Sequence, residues 1–113
     1  MLPLANRLKN RSDFAAVYAQ GSYCSKGAIS IKFLKTDLDI TRIGFPVGKG
    51  FSKKAVQRNR IRRILREVAR QQLPTLKPGF DIVVMPRPET RDMEFTQVAE
   101  ILGQLLRKAN LFS

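Results

Sequence analysis

The sequence contains no histidine, and Cys24 is its one cysteine among 113 residues. A single thiol cannot form an internal disulfide, and a zinc site would lack its usual ligands. We therefore expect Cys24 to be a small, half-buried side chain. Asp37 and Asp39 are expected to be solubilising residues of a turn, and the acids are otherwise scattered. Since phosphodiester hydrolysis usually needs clustered carboxylates with metals or a histidine, we expect no catalytic or metal-binding residue in this chain.

The sequence also lacks a long apolar run. An export signal needs an apolar stretch of roughly 7–15 residues near the N-terminus, and here Asn6 and Arg7 interrupt any such stretch. We therefore expect a cytoplasmic protein that is neither exported nor membrane-spanning. No linker or repeat divides the sequence, so residues 1–113 are expected to form a single domain with one modest core.

Acidic residues are few. Nine Asp and Glu stand against 21 Lys and Arg, which gives a formal net charge of +12. A charge of this size destabilises a compact fold by self-repulsion and favours binding to a polyanion. Ten basic residues and one acid, Glu67, lie between positions 42 and 70, so +9 of the total is concentrated there.

The first half of the sequence predicts one helix and then strands. Ser12 is expected to cap a short amphipathic helix that ends at Gly21. Side chains alternate through residues 23–35, with Ile29, Ile31 and Phe33 on one side and Ser30, Lys32 and Leu34 on the other, as on a strand that a shorter one precedes. Residues 41–47 are predicted to form the next strand, followed by a glycine-containing loop.

The second half predicts a helix, a strand and a helix. Ser52 is expected to cap a long helix from about residue 53 to 73, which Pro74 ends. Residues 80–85 form a short apolar run typical of a buried strand, and residues 94 to about 110 have one apolar helical face. The fold class is therefore a single two-layer α+β domain of order α-β-β-β-α-β-α, in which helices cover one face of a small sheet and leave the other partly open.

The long helix separates apolar from basic residues. At about 100° per residue, Ile61, Ile64, Leu65 and Val68 form one stripe, expected against the sheet. The opposite face carries Arg58, Asn59, Arg62, Arg63, Arg66 and Arg70. Arginines at i, i+4 and i+8 repel one another unless phosphates lie alongside, and guanidinium groups bind phosphate in bidentate geometry. We expect Glu67 to pair with Arg63, which offsets only one of these charges.

Three motifs follow one another in this region: Lys53-Lys54-Ala55-Val56, Arg58-Asn59-Arg60-Ile61-Arg62-Arg63 and Leu65-Arg66-Glu67. Together they resemble the signature helix of the bacterial ribonuclease P protein family. Further segments that resemble the family at corresponding places are Arg42-Ile43-Gly44-Phe45-Pro46-Val47, Asn6-Arg7-Leu8 with Asp13-Phe14, and Gly79-Phe80-Asp81-Ile82-Val83-Val84 with Arg87. The resemblance spans nearly the whole chain.

The resemblance implies a left-handed βαβ crossover, although the general expectation is a right-handed one. It also implies the protein subunit of an endoribonuclease that removes the 5′ leader from precursor tRNA. The catalytic centre and the Mg²⁺ ions are expected mainly in the RNA subunit. The implied partners are that catalytic RNA and precursor tRNA, and no obligate protein partner is evident.

By position, the resemblance assigns the RNA-facing residues as Lys53, Arg58, Asn59, Arg60, Arg62 and Arg66. It places the leader in a cleft lined by Phe14, Tyr18 and the side of the central strand that carries Ser30 and Lys32. Aromatic rings beside cations suit a flexible single strand with little sequence preference. Simple core packing is an equally weighted alternative for Phe14 and Tyr18.

Other binding functions remain open from the sequence. A ribosomal-protein-like or RNA-chaperone protein would need the basic helix but not the aromatic groove. A DNA-binding regulator would need a helix-turn-helix pair, of which the sequence shows no sign. A membrane-surface protein would need an apolar helix stripe that the sheet already requires.

Overall fold

The computed structural model describes residues 2–113. The elements along the chain are α1 (Arg11–Gln20), β1 (Ser22–Lys26), β2 (Ile29–Lys35), β3 (Arg42–Gly44), α2 (Ala55–Gln72), β4 (Phe80–Pro86) and α3 (Phe95–Lys108). Short 3₁₀ turns occur at Leu4–Asn6, Leu73–Thr75 and Pro88–Asp92. The predicted fold class and element order are confirmed, and none of the helices described is long and apolar enough to cross a membrane.

The predicted start of α1 was wrong. α1 follows Asn10 rather than Ser12, because the Asn10 carbonyl already accepts hydrogen bonds from the amides of Asp13 and Phe14, each at 3.1 Å. Its end at Gly21 is as predicted, since the Gly21 amide donates to the Val17 carbonyl.

The predicted cap of α2 and the predicted length of β3 were also wrong. α2 follows Lys54, and Ser52 lies outside the helix, where its hydroxyl accepts a hydrogen bond from the Lys54 amide at 3.1 Å. β3 covers three residues rather than seven. After Gly44 the chain leaves the sheet, and Val47 is buried in the main core with Phe45 packed against it.

The four strands form one sheet in the order β1-β2-β4-β3. β1 and β2 form an antiparallel hairpin, whose turn contains Gly27 at φ 58°, a left-handed conformation that favours glycine. β2 also pairs antiparallel with β4, while β3 and β4 are parallel neighbours joined through α2. The expected βαβ unit is therefore present, and its hand stays a prediction.

The helices lie on both faces of the sheet. α2 and α3 cover the face that carries Ile29, Ile31 and Ile82, and these form the main core with the apolar residues of both helices. Each fully buried aliphatic side chain of this kind contributes about 1.5–3 kcal/mol. Cys24 packs, half-buried, against this core as expected.

α1 lies on the opposite face, which we call the cleft face. A second, smaller cluster forms there, in which Val17 of α1 packs with Leu8 and Val83. The prediction that the helices cover one face was therefore wrong for α1, which covers part of the second face. The predicted leader cleft would lie between α1 and the rest of that face.

Candidate RNA-binding surfaces

α2 presents its basic residues away from the core because its apolar residues are buried on the opposite side. The buried residues, each at most 2% exposed, are Ile61, Leu65, Val68 and Ala69. Arg63 and Arg70 are exposed, whereas Arg58, Arg62 and Arg66 are half-buried. The ridge that the sequence predicted is therefore partly recessed rather than fully solvated.

Two arginines of this ridge are held by carbonyl groups of the segment that joins β3 to α2. Arg58 Nη1 donates to the Ser52 carbonyl at 2.9 Å, and Arg62 Nη2 donates to the Val47 carbonyl. Arg62 Nη1 also donates to Asn59 Oδ1 at 3.2 Å. A guanidinium has five N–H donors, so further donors remain for phosphate. These bonds restrict the side chains before binding, which reduces the entropy lost when a ligand binds.

Arg60 points away from that ridge. Its Nη1 donates to the Arg91 carbonyl at 3.1 Å and its Nη2 to the Met93 carbonyl at 2.9 Å. Arg60 thus ties α2 to the 3₁₀ turn that precedes α3. Its contacts in the protein are structural, and a role in facing RNA stays a prediction.

The expected pairing of Glu67 with Arg63 was wrong. The Glu67 carboxylate accepts hydrogen bonds from Arg70 Nε at 3.1 Å and from Arg70 Nη2 at 2.5 Å. Helical side chains lean toward the N-terminus, so Arg70 reaches back over Glu67 while Arg63 extends away from it. The hydrogen bond from Arg70 lowers the pKa of Glu67, and the same bond raises the pKa of Arg70. Arg70 is therefore partly neutralised and contributes less positive charge than predicted.

A basic groove lies at the N-terminal end of α2, with a volume of about 570 Å³. Lys49, Lys53 and Lys54 line it from the β3–α2 connection, and Arg91 and Asp92 line it from the turn before α3. Lys53 is exposed, as its predicted RNA-facing role requires. Arg91 was missed, because only the folded chain brings a residue 38 positions away from Lys53 to the same groove.

The four residues predicted to line the leader cleft lie on the cleft face: Phe14 and Tyr18 belong to α1, and Ser30 and Lys32 belong to β2. Lys32 Nζ donates to the Tyr18 carbonyl at 2.8 Å, which joins β2 to the C-terminal turn of α1. The rings of Phe14 and Tyr18 lie 6.3 Å apart. Ser30 is a weaker candidate than predicted, because it is 7% exposed and its hydroxyl lies 3.5 Å from the Met85 carbonyl.

Phe14 and Tyr18 differ in how much of the ring is available. The Phe14 ring rests on β3, where a Cβ added to Gly44 would lie 2.5 Å from Phe14 Cζ. The contact of the Phe14 ring with β3 therefore favours the alternative interpretation, in which Phe14 is a core-packing residue. Tyr18 is 42% exposed, and partial burial raises the pKa of its hydroxyl. Tyr18 is thus the more available stacking platform.

Sequence reasoning missed an ion-pair network on the cleft face. Arg42 Nε and Nη2 donate to the two carboxylate oxygens of Asp81 at 2.9 and 2.6 Å, and Arg42 Nη1 lies 3.2 Å from Asp13 Oδ2. The pair with Asp81 raises the pKa of Arg42. Arg42 was counted as part of the basic region, yet its charge is compensated within the protein. The network connects α1, β3 and β4 and so sets the position of α1 over the sheet.

Tyr23 was also missed. It lies opposite Lys32 in the β1–β2 pairing, hence on the same face, and it is 56% exposed. The hydroxyls of Ser30 and Ser25, together with nearby Arg87, lower the pKa of Tyr23. The alternation of side chains would have placed Tyr23 on the cleft face if the register of the hairpin had been known.

The sequence matches the model of the Ribonuclease P family across residues 2–110. The chain belongs to the ribonuclease P protein family. The family supplies the protein component of a ribonucleoprotein endoribonuclease that processes tRNA. The chain is 41% identical over 112 residues to the ribonuclease P protein component of a Pseudanabaena species, with 98% of this chain and 97% of that protein covered. It is 37% identical to that of a Picosynechococcus species, with 98% and 96% covered.

Solved structures of ribonuclease P proteins have the same fold. The Staphylococcus aureus RNase P protein superposes with a TM-score of 0.87 at 28% identity, covering 96% of this chain and 98% of that one. The Thermotoga maritima RNase P protein, solved in complex with 1-(4-fluorophenyl)-2-thiourea, superposes with a TM-score of 0.82 at 34% identity, covering 90% and 98%.

Proposed function

We propose that this chain binds the catalytic RNA of ribonuclease P through α2 and the 5′ leader of precursor tRNA through the cleft. By holding both RNAs, it assists endonucleolytic removal of the leader to give the mature 5′ end. The chain acts in the cytoplasm, and the catalytic centre lies in the RNA partner.

The observation that carries the proposal is the hydrogen bond from the Lys32 side chain to the backbone of Tyr18, whose ring is exposed. The Tyr18 ring is 42% exposed, and the Lys32 ammonium group lies 2.8 Å from the Tyr18 backbone carbonyl, so an aromatic ring and a cation belong to the same part of the cleft face. A base stacks on such a ring with about 1–3 kcal/mol, and the cation attracts its phosphate, without preference for one base. A protein that only docks on folded RNA needs the basic helix but gains nothing from this arrangement.

The α2 face supports binding to the structured RNA. The recessed arginines Arg58 and Arg62 are already oriented by backbone carbonyls and keep free donors. Binding phosphates beside them relieves the repulsion between like charges along the ridge. The steep salt dependence expected of such binding follows from release of counterions.

Magnesium ions are proposed to be held mainly by the RNA partner. Within residues 2–113 no group of three or more His, Cys, Asp or Glu side chains is placed to hold a metal ion. The two acidic residues nearest the cleft, Asp13 and Asp81, both form ion pairs with Arg42. The acidic side chains of residues 2–113 therefore do not fit a protein-held magnesium site.

The test is a reconstitution of the full-length chain with a bacterial ribonuclease P RNA at low magnesium concentration. Cleavage is measured on a precursor tRNA with a 5′ leader, and affinity is compared with that for the same tRNA lacking the leader. Arg58→Ala is paired with Arg107→Ala, which removes an exposed arginine from α3. Tyr18→Ala is paired with Tyr18→Phe, which keeps the ring.

We expect Tyr18→Ala to lower affinity for the leader-bearing precursor by roughly 5- to 150-fold, the value of one stacked base, and to leave binding of leaderless tRNA unchanged. Tyr18→Phe and Arg107→Ala should behave like the wild type, while Arg58→Ala weakens assembly with the catalytic RNA. If the wild-type chain binds RNA tightly but leaves cleavage unchanged, a docking or chaperone function replaces this one.

A further inference from the structure

A second cationic cavity lies at the β3 edge of the molecule, apart from the groove at the start of α2. It has a volume of about 230 Å³. Arg7 and Lys9, from the segment before α1, line it together with Arg66 of α2. We call this cavity the N-terminal recess. Three cationic side chains from two distant parts of the chain thus face one small space.

The cations of the recess are available for a ligand. In the part of the chain that the structure describes, Lys9 and Arg66 donate no hydrogen bond to a protein group, and the lining contains no acidic residue. Among residues 2–113, Arg7 donates only through its Nε, to the Leu2 carbonyl at 3.0 Å, and its two terminal nitrogens donate to no protein group. Uncompensated like charges around one cavity are unfavourable until an anion enters.

The remaining walls indicate the kind of anion. Leu8, Ile43 and Phe45 make much of the lining apolar, and Phe14 contributes to it from α1. An apolar wall next to clustered guanidinium groups suits a nucleotide whose phosphate binds the cations while its base lies on the wall. A single strand can place a nucleotide in such a recess, because its bases are free to leave the stack, whereas a rigid duplex presents its phosphates on a convex surface.

We propose that the N-terminal recess holds one backbone phosphate of the single-stranded leader between Arg7, Lys9 and Arg66, and this rests on the proposed function. Phe14 lines the recess and belongs to the predicted leader cleft, so the strand passes from the cleft into the recess without leaving the protein surface. Arg66 therefore binds the leader, unlike Arg58 and Arg62 on the same helix.

The test uses the full-length chain assembled with the catalytic RNA. Dissociation constants are measured for precursor tRNA with and without its leader, for Lys9→Ala, Arg66→Ala and the double variant. Lys26→Ala is the matched control, because Lys26 is exposed on β1 at the other edge of the sheet. Lys9 is exposed and unbonded within the described residues, so its replacement should leave folding intact, which urea denaturation checks for every variant.

We expect Lys9→Ala and Arg66→Ala each to weaken binding of the leader-bearing precursor by about tenfold, the value of one charged contact. Leaderless tRNA should bind as before. Because both groups hold the same phosphate, the double variant should lose less than the product of the two single losses.

Each other outcome overturns a defined part of the proposal. Multiplicative losses would mean two separate phosphates rather than one site. Equal losses with leaderless tRNA would assign the phosphate to the catalytic RNA. If Lys9→Ala matches Lys26→Ala while the wild type retains its leader-dependent affinity, the recess is not a binding site. If the wild type shows no such affinity, the proposed function itself fails, and the recess proposal with it.

Discussion

Arg42 offers the clearest test of how the cleft is built. The Asp81 side chain is 5% exposed and receives two hydrogen bonds from Arg42, whose own side chain is 20% exposed. Arg42→Ala would leave that carboxylate buried without its partner and would also release Asp13 of α1. We therefore expect both lower stability and weaker leader binding, since α1 carries the aromatic side of the cleft.

The magnitude follows from the burial of the pair. Removing one partner of a buried ion pair costs about 3–5 kcal/mol, because the remaining charge keeps its desolvation penalty. The partial exposure of Arg42 lets water approach, so the lower end of about 3 kcal/mol applies. Asp13→Asn breaks only the more exposed contact, with side chains 20% and 30% exposed, and should cost less than about 1 kcal/mol.

Urea denaturation at neutral pH measures these changes as shifts of the midpoint at constant slope. Asp81→Asn combined with Arg42→Ala removes the stranded charge and should recover part of the stability lost in Arg42→Ala alone. If the double variant is no more stable than the single variant, a stranded carboxylate does not explain the loss. If leader affinity is unaffected in a folded Arg42→Ala variant, the network does not position α1.

Tyrosine ionisation, the Glu67–Arg70 ion pair and the helical residue Gly103 each give a separate test of the structure. In an absorbance titration, Tyr23 should ionise below pH 10 and Tyr18 above it, and Tyr23→Phe should abolish the earlier step. Because folding raises the pKa of Tyr18, the contribution of Tyr18 to stability is present below pH 10. That contribution is lost as the pH rises through the pKa of Tyr18 in the folded protein. A single shared step would contradict this. Glu67→Gln should free Arg70 and raise affinity for the catalytic RNA, more at low than at high salt, and unchanged affinity would show that Arg70 faces no RNA. Gly103→Ala should stabilise the protein by about 1 kcal/mol in urea denaturation, because an added Cβ meets nothing within 4 Å in α3, and a lower midpoint would refute this.

Helix ends and local ion pairs were predicted less well than helix faces. Ser52 and Ser12 both have the residue type of a cap, but many short polar residues satisfy that pattern and backbone hydrogen bonds decide among them. Glu67 has arginines within reach on both sides, and the direction in which helical side chains lean selects Arg70. Such choices depend on differences of a few tenths of a kcal/mol, which residue type does not reveal.

The sequence by itself determined the element order, the buried stripe of α2 and the basic face opposite it. Hydrophobic periodicity and charge are local properties of the chain and do not depend on how the elements pack together. Only the tertiary structure decided that α1 lies on the other face of the sheet from α2 and α3. It alone also joined Arg42 to Asp81, 39 residues away, and brought Arg7 beside Arg66. The physical reason is that these contacts depend on strand order and on the face each helix covers, which arise from burial of the whole core rather than from any short segment.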